Sequence, residues 1–351
     1  MRSKTSPQLG HALRIRNQPR RDGRRNKPRP PQPGQAATIP LNRTRIRPAP
    51  SIIRTYWRPD LTHRCGTPEA GLPSAAVPIL TDEQVSRYRS DGWLAPIDVL
   101  TTAEASAALA ALEEAEARYP EDLHGDHRNN AHLVLPFLAD LALHPTILGC
   151  AASLVDRPAA LLNSVLFIKD PDATAYVSWH QDSTYMGIEG ADMVTAWLAL
   201  TPSTSENGCV AMAPATHLDG IRPHEDRYGP DNILTRGQHV SGFDPDTAVD
   251  VVLQPGQMSL HHPHLIHGSR PNGSDTRRVG VAFQSYIGVD ARPERGKHHV
   301  LVVGNDPVDP AFLVVPRPET EMTDDGRAVR ASANAALSDV LYHGATERRS
   351  Y

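Results

Sequence analysis

The chain has 351 residues, with 36 lysines and arginines against 40 aspartates and glutamates, a formal net charge of −4 and three cysteines. That length holds two average domains, or one double-sheet barrel with flanking helices. Cys65, Cys150 and Cys209 are too few and too scattered for a disulfide framework or a cysteine metal site, which suits a cytoplasmic location, and no apolar run is long enough to span a bilayer.

The charge is unevenly spread. Up to about Pro73 there are sixteen Lys/Arg against three Asp/Glu, and the remainder carries twenty against thirty-seven. Text this rich in proline does not form an amphipathic helix, and no apolar run follows the arginines, so no transit peptide, secretory signal or twin-arginine signal is expected. Residues 1–76 are read as a basic, disordered extension without a nucleic-acid or membrane partner, and 77–345 as one catalytic domain.

Ordered structure is predicted from Leu80. Thr81-Asp-Glu-Gln84 forms a capping box for a short helix ending near Asp91-Gly92. A second box, Thr101-Thr-Ala-Glu104, starts an alanine-rich helix with Ala105, Ala108, Leu109 and Leu112 on one stripe, stopped by Tyr119-Pro120. Pro145 suits the first turn of a third helix running to Leu154. From Ala160 the pattern changes to short β-prone runs, at 161–176, 194–200, 258–260 and 277–286, and Asn207-Gly208 is a favoured two-residue hairpin turn. Helices followed by strands predict a mostly β fold, a double-stranded β-helix (jelly roll, cupin-like) with helices packed outside. The polar insert at about 218–250 has the length of a lid.

Two stretches carry candidate chemistry. In His180-Gln181-Asp182, an extended backbone sends residues i and i+2 to the same side, so His180 and Asp182 can meet on one ion. Downstream, His261-His262-Pro263-His264-Leu265-Ile266-His267-Gly268-Ser269 offers four more imidazoles. Two histidines and a carboxylate on one face of octahedral Fe(II) leave three positions open, the arrangement of oxidation chemistry. Spacing alone leaves the third ligand open among His261, His262, His264 and His267. In the strand that follows, Arg278, Gly280, Ala282 and Gln284 share a face; its small residues leave room for a ligand, and a planar guanidinium can clamp a carboxylate bidentately.

These residues resemble the phytanoyl-CoA dioxygenase family of Fe(II)/2-oxoglutarate-dependent oxygenases. The matching elements are Trp179-His180-Gln181-Asp182, Thr195-Ala196-Trp197-Leu198, Glu206-Asn207-Gly208-Cys209 leading to Pro214-Ala215-Thr216-His217, and Pro255-Gly256 leading to His267-Gly268-Ser269 and Arg278, across roughly 80–286. The usual family text at 214–217 is Pro-Gly-Ser-His, from which Ala215 and Thr216 depart. The resemblance implies that His180, Asp182 and His267 are the iron ligands, and that Arg278, with Ser269, receives the far carboxylate of 2-oxoglutarate. It places Gln181 and Trp197 in the cosubstrate pocket and Asn163 near the metal, and makes His261 and His264 structural or cleft-lining and His262 a non-ligand.

The implied reaction consumes O2 and decarboxylates 2-oxoglutarate to succinate and CO2 while hydroxylating an unactivated C–H bond of a small-molecule substrate. Related iron halogenases replace the ligand carboxylate by a small residue; with Asp182 present, hydroxylation is expected instead. Tyr185, Arg222 and Arg236 are candidate substrate contacts, and the alanine, arginine and proline richness suggests natural-product tailoring. Two other classes compete. A metal-dependent jelly-roll hydrolase or isomerase gives no reason for Arg278 with Ser269, and a catalytically silent cupin-like binding protein gives none for an intact ligand set. Neither the substrate nor the oligomeric state is specified by the sequence.

Overall fold

The computed structural model describes residues 78–189, 192–345 and 347–348, apart from the side chains of Asp126, His127 and Tyr185. The expected basic extension at 1–76 lies outside the described residues. Among the described residues there are five α-helices: α1 (Asp82–Asp91), α2 (Thr102–Arg118), α3 (Pro136–Ala142), α4 (Pro145–Leu154) and α5 (Asp324–Leu341). The first two begin at complete capping boxes on Thr81 and Thr101, and α1 stops at Gly92, whose φ of 82° is left-handed. No single helix among the described residues is long and apolar enough to cross a membrane.

The strands are β1 (Trp93–Asp98), β2 (Pro158–Lys169), β3 (Val177–His180), β4 (Ile188–Glu189), β5 (Met193–Ala199), β6 (Val210–Met212), β7 (His224–Asp226), β8 (Gln238–Val240), β9 (Val249–Val251), β10 (Gln257–His261), β11 (His267–Ser269), β12 (Arg278–Gly288), β13 (Arg292–Pro293), β14 (His299–Val302) and β15 (Leu313–Val315). A seven-stranded sheet runs β1-β10-β5-β12-β2-β14-β15, a four-stranded sheet runs β3-β11-β6-β9, and β4 with β13 and β7 with β8 form two small ribbons. The two main sheets, with helices outside, are the double-sheet architecture that the strand pattern predicts.

Alternation along β5 and β12 decides what each face of the large sheet meets. Leu198, Val279, Val281 and Phe283 pack in one cluster with Leu112, Leu135, Leu138 and Ile147 from the helical layer. Trp197 and Ala282, on the opposite face, pack with Val210, Met212 and Val251 of the small sheet. Each large aliphatic side chain so buried contributes about 1.5–3 kcal/mol, enough to hold the sheets face to face around whatever lies between them.

Four features differ from the sequence reading. Strand β1 intervenes between α1 and α2 and pairs with β10, so helices do not simply precede strands. Asn207-Gly208 is not a hairpin turn: β5 and β6 belong to different sheets, and the turn lies in the loop between them, where the Asn207 side chain accepts from Thr204 N at 2.8 Å. A Cβ at Gly208 would clash with the carbonyls of Arg270 and Pro271, so close backbone packing, rather than strand pairing, calls for glycine there. The insert at 218–250 contains a β7–β8 ribbon. Finally, α5 was not anticipated; it is tied to the domain by Arg327 and Arg330, whose guanidinium groups reach Asp122 at 3.0 and 2.8 Å.

Candidate active site

Pairing of β3 with β11 sets His180 directly opposite His267. Asp182 follows two residues past the end of β3, at the start of a short helical turn over Asp182–Tyr185. The three side chains are buried, and one ligand atom from each lies within 4.8 Å of the others. His180 Nε2 is 3.4 Å and His267 Nε2 3.8 Å from Asp182 Oδ1.

Hydrogen bonds settle which imidazole nitrogen faces the site. His180 Nδ1 lies 2.9 Å from the Ser178 carbonyl, and His267 Nδ1 lies 3.0 Å from that of Leu265, so both Nδ1 atoms carry the proton and donate it. The Nε2 lone pairs are left pointing at a carboxylate oxygen, a repulsive arrangement that a cation between them makes favourable. Burial, with His180 and His261 nearby, holds His267 well below the ordinary histidine range, and a neutral imidazole is the form that ligates metal. The donor set therefore fits a divalent first-row ion, with two nitrogens and one oxygen.

The other carboxylate oxygen is already engaged. His261 Nε2 lies 3.3 Å from Asp182 Oδ2, and Thr195 Oγ1 donates to it at 3.1 Å. His261, expected to be structural or cleft-lining, braces the carboxylate from behind. His262 and His264 stand apart, with the His262 ring tilted against that of His217 and edge-on to that of His264, at centroid separations of 5.2 and 4.9 Å. Among the described residues no other cluster of three metal-binding side chains converges.

Next to the triad, a small cavity is lined by Ser269, Trp197, Gln284, Ala282 and Arg278. Arg278 is 1% exposed, and its Nε and Nη1 have no hydrogen-bond partner. Burial lowers its pKa to about 10, which still leaves it protonated at neutral pH. An uncompensated buried cation is costly, so this guanidinium calls for an anionic ligand, and the carboxylate of a keto acid fits. Its carbon lies 5.2 Å from the ring centroid of Trp197.

The small residues beside Arg278 serve two ends. Ala282 borders the cavity as expected, but the space at Gly280 is filled by the Trp197 ring, against which any Cβ would clash. Gly280→Ala is expected to displace the indole from beneath Arg278 and to destabilise the fold by about 1–3 kcal/mol, the usual cost of overpacking. Urea unfolding checks the second effect, and 2-oxoglutarate titration the first.

A larger cavity of about 320 Å³ is also bordered by His180 and Asp182. Its walls include Leu162, Phe167 and Met186 from the barrel, Leu234 from the insert, and Leu337 and Leu341 from α5. Asn163 lies here and donates from Nδ2 to Gln284 Oε1 at 2.8 Å, and Gln284 borders both cavities. The insert does line the site, at Pro230 to Thr235 and Gln238, though not through the arginines singled out from sequence.

Arg222 pairs with Asp219 at 2.6 Å and lines neither cavity. Arg236 binds Asp226 at 2.8 Å and the carbonyls of Leu341 and His343 at 2.9 and 3.0 Å, clasping the end of α5 to the insert. Both were expected as substrate contacts; ion pairing turns each away. The side chain of Tyr185, the third, lies outside the described residues. Gln181, expected beside the cosubstrate, faces the larger cavity. Its amide donates to the carbonyls of Gly220 and His264 at 2.8 and 2.5 Å and accepts from Arg222 N at 2.7 Å, a brace between the insert and the histidine loop.

The departure at 214–217 has a local consequence. Ala215 takes a φ of 64°, a left-handed conformation in which glycine avoids a penalty of about 1–2 kcal/mol. Thr216 Oγ1 accepts from Ile266 N at 3.0 Å, securing the residue before His267. Residues that sequence reasoning missed include Thr195 and the walls from α5. Gln284 could have been found, since it shares the Arg278 face.

A sequence model described as phytanoyl-CoA dioxygenase (PhyH) matches residues 88–280. A probable phytanoyl-CoA dioxygenase of Caenorhabditis elegans is 28% identical over 155 residues, covering 42% of this chain and 50% of that protein. A probable alpha-ketoglutarate-dependent hypophosphite dioxygenase of Stutzerimonas stutzeri is 26% identical over 195 residues, covering 53% and 68%. The chain thus spans about half the length of the C. elegans relative. Among solved structures, the non-heme monooxygenase ThoJ in its apo form is 31% identical with a TM-score of 0.65, covering 74% of this chain and 98% of that one. A ThoJ–nickel complex is 30% identical with a TM-score of 0.59, covering 74% and 99%.

Proposed function

The chain belongs to the phytanoyl-CoA dioxygenase family, and from that premise we propose that it hydroxylates an unactivated C–H bond of a compact, mainly apolar small molecule, using Fe(II), 2-oxoglutarate and O2. The observation that carries the reading is the placement of the buried His180–Asp182–His267 cluster beside the unpartnered guanidinium of Arg278. A jelly-roll hydrolase needs the first and has no use for the second.

In this reading His180, Asp182 and His267 hold the iron, and Arg278, aided by Ser269, receives the distal carboxylate of the keto acid. Bound together, Fe(II), 2-oxoglutarate and O2 supply the oxidising power for C–H cleavage, with release of succinate and CO2. The protein's own contribution is placement and exclusion of water. His261 and Thr195 occupy Asp182 Oδ2, leaving Oδ1 toward the two imidazoles as the oxygen available to the ion. Trp197 screens the guanidinium from solvent. The carboxylate in the ligand set supports hydroxylation over halogenation.

Substrate fits the larger cavity, whose size lies at the lower end of the range for small-molecule sites of about 300–1,000 Å³. Leu162, Phe167, Leu337 and Leu341 suit a carbon skeleton, and the Asn163–Gln284 amides suit a polar substituent close to the reacting carbon. The setting we infer, natural-product tailoring, rests on composition alone. The test is succinate release across a panel of compact apolar acids, amino acids and polycyclic compounds. Stimulation by one of them, with a product heavier by one oxygen atom, supports the proposal; Fe(II)-dependent turnover that never requires 2-oxoglutarate overturns it.

A further inference from the structure

Beside Arg278 lies a second buried basic group that the proposed function leaves unused. Lys169, the last residue of β2, is directly opposite Arg278 in the β2–β12 pairing and is 1% exposed. Side chains at such directly opposed positions share one face of the sheet and lie close together, where like charges repel. No described carboxylate figures among the charged neighbours of either group. Burial, with Arg278 beside it, lowers the Lys169 pKa to about 6, so the amine is mostly neutral near pH 7 until an anion nearby favours its ammonium form.

What Lys169 does touch is informative. Its Nζ donates to Ser269 Oγ at 2.7 Å and also to the carbonyl of Arg270. A serine hydroxyl has one hydrogen to give and lone pairs to receive. With Lys169 donating to the oxygen, the hydroxyl hydrogen is released for another acceptor, and Ser269 borders the same small cavity as Arg278. Lys169 itself does not line that cavity, so it reaches a ligand there through Ser269.

We propose that Lys169 is a positioning residue for the cosubstrate: it fixes the Ser269 hydroxyl as a donor aimed at the distal carboxylate that Arg278 receives. The inference rests on the 2-oxoglutarate reading of that cavity. Two buried basic groups on facing strands, one relayed through a hydroxyl, form a site for a dianionic keto acid, whose charge favours the ammonium form of Lys169, and discriminate against 2-oxo acids that lack the distal carboxylate.

The experiment is calorimetric binding of 2-oxoglutarate and of 2-oxobutyrate, which has no distal carboxylate, to the metal-loaded, O2-free protein. Lys169→Met is expected to weaken 2-oxoglutarate by about ten-fold, the effect of losing a charge-assisted hydrogen bond, and to leave 2-oxobutyrate unchanged. In a Ser269→Ala background the same substitution is expected to cost less than about three-fold, because the relay is already broken. Equal loss for both acids, or the same loss in both backgrounds, would make Lys169 merely structural and overturn the proposal. If Lys169→Met does not fold, Lys169→Gln gives the same comparison with the polarity of the site kept. Arg278→Ala separates the two levels. Unchanged 2-oxoglutarate affinity there removes the cosubstrate reading, whereas a loss there with none at Lys169 removes only the relay.

Discussion

Arg278→Met is expected to weaken 2-oxoglutarate binding by about one to two orders of magnitude while leaving metal affinity unchanged, since a hydrogen bond to a charged group contributes roughly 1.5–3 kcal/mol and every 1.4 kcal/mol is ten-fold. The same variant should raise the stability of the ligand-free protein. Arg278 is fully buried, with two guanidinium nitrogens unpartnered, and replacing such a group by an apolar side chain of similar volume relieves its desolvation cost. The two effects have opposite signs, which separates a ligand-binding role from a structural one. A fixed excess of 2-oxoglutarate should then raise the melting temperature of the wild-type protein more than that of the variant. Titration calorimetry and thermal melts measure both. A variant less stable without ligand and unaltered in its 2-oxoglutarate affinity would show that the guanidinium supports the fold instead of the cosubstrate.

His267→Ala should abolish tight metal binding. Supporting groups behind a metal ligand typically carry 10–100-fold in affinity, so loss of a ligand itself is expected to exceed about 100-fold. The histidines of the same segment then form a graded series. His261→Ala removes a hydrogen bond to Asp182 Oδ2 and belongs in the supporting range. His264→Ala, whose ring packs on His262 away from the cluster, should leave the metal in place. Metal content after gel filtration, with titration of the apo-protein, ranks the three. Comparable losses from His264→Ala and His267→Ala would overturn the ligand assignment.

Much of this site was legible because its determinants are local. Thr81 and Thr101 cap their helices through atoms three residues away, and His180 and Asp182 converge because they are separated by a single residue in an extended segment. Resemblance to a known family then named His267 among four candidates and linked Arg278 to a carboxylate. The errors have a common physical origin. Gln181, Arg222 and Arg236 are polar residues in the right neighbourhood, and their partners, the carbonyls of Gly220, His264 and Leu341 and the carboxylates of Asp219 and Asp226, decide which way each side chain faces.

By itself the sequence determined the chemistry on offer: the ligand types, the cationic strand residue, the helix starts and the alternation that makes two sheets. Tertiary structure alone decided which of these groups meet. The β3–β11 register puts His267 opposite His180, the β2–β12 register sets Lys169 against Arg278, and α5 returns from the far end of the described chain to wall the larger cavity. Strand pairing joins residues about a hundred positions apart, and a slip of one residue would turn every one of these side chains to the opposite face, so no local pattern in the chain encodes the meeting.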